Sequence, residues 1–174
     1  MGEERKKSSA LRISLIAITT AIVAVFTIAI RVPTPVGGYV SLCDVAVVFV
    51  SATFGPVTGF IAGGVGTAIA DLAGGFGQWA PVSFVVHGLE ALLIALIVRS
   101  KPDSLVYKLL AAGVAILTVA GGYFLLTGAF LIGFAAALPE VPANVVQSAC
   151  GVIVGLPLSI AVRKAYRRID ELKW

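Results

Sequence analysis

The sequence predicts an all-α integral membrane protein, a six-helix bundle with its N- and C-termini in the cytoplasm. Three observations carry this expectation. The chain is 59% apolar and only 13% charged, where a soluble domain averages about 45–50% and about 25%. Apolar stretches of bilayer-crossing length recur from one end to the other, giving a mean hydropathy of +1.02. The basic residues fall into clusters that alternate with those stretches. At 174 residues the chain forms one membrane domain.

The spans follow in order. The first, 10–30, comes after the charged start "EERKK". It is longer than a signal-peptide core of about 7–15 residues, so a retained helix is expected. "RVPTPVGGYV" then breaks the pattern with two prolines and two glycines. The second span, 41–54, ends at Gly55-Pro56, and the third, 57–72, ends at "AGGFGQW". Both are short for a hydrocarbon core of about 30 Å, which favours a compact bundle that buries their ends. The fourth, 80–98, stops at "RSKPDS". The fifth, 107–134, is too long for one straight crossing, so a break is expected near Gly121-Gly122 or Gly128. The sixth, 142–162, follows "LPEVP".

With six crossings, Arg5, Lys6, Lys7, Arg12, Arg99, Lys101, Lys108, Arg163, Lys164, Arg167, Arg168 and Lys173 share one side, and only Arg31 lies on the other. The positive-inside rule makes the first side cytoplasmic. The net charge of +4 then reads as contact with membrane lipid at the inner leaflet. Nucleic acid is not expected as a partner, because no basic, aromatic-bearing soluble surface is evident. Cys43 and Cys150 form no CxxC pair and read as small apolar fillers.

The outward loops hold most of the unusual polar and aromatic residues: Tyr39, Asp44, Asp71, Gln78, Trp79, Glu140, Asn144 and Gln147. His87 and Glu90 lie deeper in the fourth span, at i and i+3 on one helix face. A central ionisable residue costs about 2.5–3.5 kcal/mol on insertion scales, so that face should point into the bundle. Either the pair only fixes packing, or it floors a cavity open to the outside. The convergence of polar residues from three other outer segments favours the cavity. Asn144 and Gln147 repeat the i, i+3 spacing and would offer amides to a planar polar ligand, although Asn144 could be only a helix cap. Trp79 and Tyr39 are interface aromatics or ring-stacking residues. Asp71 ends a ladder of Gly55, Gly59, Gly63 and Thr67 that reads mainly as a helix-packing signal. Asp71 itself caps the following loop or lines the cavity.

No P-loop, HExxH or GxSxG pattern occurs, so no catalytic residue is assigned. A lone HxxE could ligate metal, but di-iron bundles need further carboxylates at matching depth, and no metal is expected. The alternatives are an intramembrane enzyme using His87 and Glu90 as acid and base, or a structural assembly subunit. Ala17 and Ala21 form an AxxxA step whose spacing alone favours packing inside the bundle over docking of another membrane protein.

Three blocks carry a resemblance over nearly the whole chain: "GGYVSLCDVAVVFVSATFGPVTGFIAGGVGTAIADLAGG", "APVSFVVHGLEALLIAL" and "GYFLLTGAFLIGFAAALPEVPANVVQSACGV". In that order, with "HGLE" and "PxNxxQ" in place, they resemble the substrate-binding S components of energy-coupling factor (ECF) vitamin transporters, in the riboflavin or hydroxymethylpyrimidine branch. The resemblance implies a subunit of an ATP-driven importer in the plasma membrane of a prokaryotic cell, not an enzyme. It would capture a small aromatic vitamin or precursor (hydroxymethylpyrimidine, a pyridoxine-like ring or riboflavin) in a site open to the outside and covered by the first external loop. It implies as partners a membrane coupling subunit and two cytoplasmic ATPases, which use the ATP, and no cofactor of its own. Asn144, Gln147, His87 and Glu90 would contact or underlie the vitamin, Tyr123 of "GYFL" would lie near it, and Ala17 and Ala21 would meet the coupling subunit. Relatives often carry an acidic residue shortly after "GYFL", where this chain has Thr127, which leaves the choice of vitamin open.

Overall fold

The structure, a computed structural model, describes residues 2–173, the side chains at 2–8, 170 and 171 excepted. The expected placing of Arg5, Lys6 and Lys7 with the basic side therefore lies outside the described residues. Helix α1 (Gly2–Ala29) contains no glycine or proline between Ser9 and Ala29, and that stretch is long enough to cross a bilayer. The Pro- and Gly-rich segment after it is a hairpin rather than an irregular loop. Strands β1 (Arg31–Pro33) and β2 (Tyr39–Ser41) pair antiparallel, with Val32 opposite Val40. Gly37, at φ +79°, makes the turn, and the Thr34 N–H donates to the Gly38 carbonyl at 2.9 Å.

Helices α2 (Cys43–Phe54) and α3 (Pro56–Ala73) meet at Gly55, whose φ of +93° turns the chain back sharply before Pro56 opens α3. Helix α4 (Ala80–Ser100) likewise starts with a proline in its first turn. Helix α5 (Leu105–Phe130) is followed by one turn, α6 (Phe134–Ala137), a 3-10 turn at Leu138–Glu140, and α7 (Val141–Ala165). The break expected in the fifth span falls later than Gly121-Gly122, between Phe130 and Phe134, a few residues past Gly128. Helix α5 runs through Gly121, Gly122 and Gly128 to Phe130, and the chain turns only near Gly133, at φ +81°. Packing outweighs the weak helix propensity of glycine: a Cβ on Gly122 would stand 3.0 Å from Val86 of α4.

Five stretches among the described residues can cross a membrane by length and composition. Helix α2 is the exception. Its 12 residues span about 18 Å, too short to cross alone. It sits in the middle of the bundle against α1, α3, α4 and α7, and every residue but Phe49 is buried. Its polar first turn therefore stops inside the protein, directly after β2.

Small residues let the helices close on one another. A Cβ on Gly63 would stand 2.7 Å from the His87 carbonyl oxygen of α4, and one on Gly59 2.9 Å from Ser51 Cβ of α2. On α7, a Cβ on Gly155 would stand 2.8 Å from the Val45 carbonyl oxygen, and one on Gly151 would meet Asp44. The ladder in α3 is thus a packing device, as its spacing suggests. Basic residues gather at one end of the bundle. Arg99, Arg163 and Lys173 border a crevice with the Gly55-Pro56 turn, and Lys108, Lys164 and Arg167 border one with Pro102. Arg31 lies apart from them, with its guanidinium donating to the Ala70 carbonyl at 2.7 Å and stacked 4.5 Å from the Tyr39 ring centre.

Candidate functional site

Between the hairpin and the first turns of α2, α4 and α7 lies a narrow, largely enclosed cavity of about 30 Å³. Each contributing element supplies a polar face that cannot turn toward lipid without losing its partners. Helix α4 presents Ser83 and His87, one turn apart; α3 presents Thr67 and Asp71; α5 presents Tyr123; and α7 presents Asn144 and Gln147. The hairpin adds Thr34, Gly38, Tyr39 and Ser41, and Trp79 and Glu140 come from the connections that precede α4 and α7. The described lining contains no lysine or arginine.

Three bonds hold the hairpin over this cavity. Thr34 donates its hydroxyl to Glu140, Tyr39 donates to Asp71, and the Ser41 N–H donates to Gln147 Oε1 at 2.6 Å. Burial, and then the Asp71 carboxylate beside it, push the Tyr39 phenol well above its ordinary pKa, so it remains a donor.

The floor is a compact polar cluster. His87 Nδ1 lies 3.0 Å from Asp44 Oδ1 and 3.0 Å from Glu90 Oε2. His87 Nε2 lies 3.2 Å from the Tyr123 hydroxyl, which is in turn 2.7 Å from Ser83 Oγ. Cys43 Sγ stands 3.2 Å from Asp44 Oδ1, and the Gln147 amide nitrogen faces Cys43 Sγ at 3.6 Å. Two residues of the cavity lining each bury a polar atom with no hydrogen-bond partner among the described residues, Asp71 Oδ2 and Trp79 Nε1. Native proteins rarely leave such groups unpaired, and an acceptor and a donor on lining residues are seats for a ligand that offers the complement.

A family model for the ECF-type riboflavin transporter S component matches residues 7–164. The chain belongs to that family. A protein of Pyrococcus woesei described as an uncharacterised protein in the gap 3′ region is 31% identical over 155 residues, covering 86% of this chain and 99% of that one. The thiamine precursor transporter HmpT of Lactococcus lactis subsp. cremoris (strain MG1363) is 28% identical over 155 residues, covering 88% of each. This ECF S component is accordingly a multi-pass plasma-membrane protein and a substrate-binding transporter subunit, not an enzyme.

The structure brings Tyr39, Asp71, Trp79, His87, Tyr123, Asn144 and Gln147 to one cavity wall, drawn from six segments. Glu90 is not on that wall; it is fully buried behind His87. Asn144 is no cap, because α7 begins at Val141 and Asn144 lies buried in its first turns. Trp79 is no belt residue, being only 5% exposed. Gln78 is exposed and outside the cavity. Ala17 and Ala21 are exposed on α1, so the internal packing that their spacing favours does not occur; α1 packs through Thr19, Val23 and Thr27 instead. Cys43 is not an apolar filler but part of the polar floor. Ser41, Ser83 and Thr34 also line the cavity without any sequence pattern that singles them out, and Thr67, read only as a rung of the packing ladder, lines it too.

Proposed function

We propose that this S component captures a small aromatic vitamin or vitamin precursor from outside the cell for an ATP-driven ECF importer. The observation that carries the reading is the pair of buried atoms on lining residues, Asp71 Oδ2 and Trp79 Nε1, without a partner among the described residues, at a polar cavity latched by a hairpin. A ligand ring with donor and acceptor edges would satisfy both, with Asn144 and Gln147 adding amide contacts. A mismatched ligand would leave such groups buried and unmet, at about 1–3 kcal/mol each. The riboflavin name of the family and the thiamine-precursor name of the Lactococcus relative support a ligand of this size and shape.

In this reading the basic end faces the cytoplasm and the hairpin faces outward. The membrane coupling subunit docks on the exposed Ala17–Ala21 face of α1, where small side chains permit close helix approach. Two cytoplasmic ATPases supply the energy, and release follows a change in the whole complex. The test is uptake of labelled hydroxymethylpyrimidine, pyridoxine and riboflavin by cells with and without the coupling module, beside mass spectrometry of ligand retained through purification. Uptake of one of them that stops when the ATPases are deleted is expected. Uptake that continues unchanged, or a purified protein that retains and binds none of them, overturns the reading.

A further inference from the structure

We propose that Cys43, Asp44, His87 and Glu90 form a binding site for one divalent transition-metal ion of the zinc class, set in the floor of the cavity. One donor atom from each of Cys43, Asp44 and His87 lies within 4.8 Å of the others. Glu90 stands beside that group rather than within it, with Oε2 3.0 Å from His87 Nδ1, and would swing in to complete the ligand set. Ligands of a tetrahedral ion bound at about 2.0–2.3 Å stand roughly 3.3–3.8 Å apart, so the closest pairs here would open slightly to admit one. All four residues are buried, with 2% exposure or less.

A neutral His87 between two ionised carboxylates leaves this cluster short of protons. A neutral imidazole carries one N–H, yet His87 Nδ1 faces two carboxylate oxygens at the same distance. Glu90 Oε1 is a second, independent sign: it is buried without any partner. A carboxylate gripping an ion through both oxygens would remove that orphan. An ion would also offset two carboxylates buried behind a cavity wall that carries no lysine or arginine.

The surroundings are those of a supported ligand set. With Nδ1 on the ion, the Nε2–H of His87 is left between the Tyr123 hydroxyl at 3.2 Å and Cys43 Sγ at 3.6 Å, and donating to the hydroxyl would fix ring and tautomer. The Gln147 amide nitrogen stands 3.6 Å from Cys43 Sγ and 3.5 Å from Asp44 Oδ2, placed to orient both. Cys43 and His87 line the cavity, so an ion reaches them by the same mouth as a ligand. A sulfur donor beside an imidazole and carboxylates selects zinc-like ions over magnesium or calcium, which take oxygen donors.

This proposal stands independently of the vitamin, so its test omits vitamin and uptake altogether. The full chain, purified with a tag that contains no histidine, is equilibrated with Zn²⁺, and bound zinc is measured by plasma mass spectrometry. Titration with Co²⁺ then reads the thiolate-to-cobalt absorption. One equivalent of zinc is expected, with affinity at least tenfold weaker in Cys43→Ser and in Glu90→Gln, and with no thiolate band in Cys43→Ser. If Glu90→Gln does not fold, Cys43→Ser, which keeps the side-chain size, carries the test by itself. A chain that takes up no zinc at micromolar free metal overturns the proposal. So does zinc bound equally well by the wild type and Cys43→Ser, which would place the ion elsewhere.

Discussion

Along α4, the first turns present Ser83, His87 and Glu90 to the bundle interior, and the later turns present Ile94 and Val98 to it. Glu90 and Ile94 are one turn apart and almost equally hidden, at 0% and 1% exposure. Different forces hide them. Lipid is as apolar as a protein core, so Ile94 gains little by leaving it; what holds it is close packing with Val48, Ala52, Ala111, Ala115 and Leu156. Glu90 is kept inside by the cost of placing a carboxylate in hydrocarbon, and by its contact with His87 one turn before it on the same helix. The polar half of the bundle is therefore held by pairing and the apolar half by shape, and the two should respond to substitution differently.

The harshest test strikes where both halves depend on one contact. Gly63→Val puts branched atoms where even a Cβ would stand 2.7 Å from the His87 carbonyl oxygen, a backbone atom with little freedom to yield. A loss of about 3 kcal/mol is expected, together with loss of ligand binding, read by thermal unfolding in detergent and by ligand titration. Gly113→Ala, where an added Cβ meets nothing within 4 Å, is the matched control and should leave both readings almost unchanged.

Ile94→Ala addresses the apolar half alone. It should cost about 2 kcal/mol through the void it leaves, with the ligand affinity of the folded protein unchanged. An affinity that fell in parallel would merge the two halves into one cooperative unit and end the contrast. Asp71→Asn is the reverse case. It replaces a cavity-lining carboxylate whose Oδ2 is buried without a partner among the described residues, and ligand affinity should drop about tenfold while thermal stability holds. The smallest effect belongs to the hairpin. Tyr39→Phe removes one of its three bonds, worth about 1 kcal/mol, so ligand dissociation measured by stopped flow should quicken about fivefold.

Much of the architecture was legible in the residues one segment at a time. The helix boundaries at Gly55-Pro56, at Pro81 and at Pro142 follow from local backbone rules. The inward face of His87 and Glu90 followed from their spacing and from the price of exposure. Where reading failed, the cause was contact at long range. Gly121 and Gly122 promised a break that helix packing suppresses there, and it falls past Phe130 instead. Cys43 looked like filler because nothing near it in the chain shows that Asp44, His87 and Gln147 would surround it. Ala17 and Ala21 looked suited to internal packing, and only the rotation of α1 about its axis turned them outward.

The sequence by itself determined that the chain lives in a bilayer, and which residues are too costly to face lipid. Each of these is a property of a single segment set against the thickness and dielectric of the membrane. Only the tertiary structure decided that the buried second helix stops halfway, so that Cys43 and Asp44 meet a histidine 44 and 43 positions further along. It also decided that a hairpin, latched to α3 and α7, lies over their cavity. Those outcomes depend on how helices rotate and pack in pairs, and that free energy is shared between distant parts of the chain rather than written in any one of them.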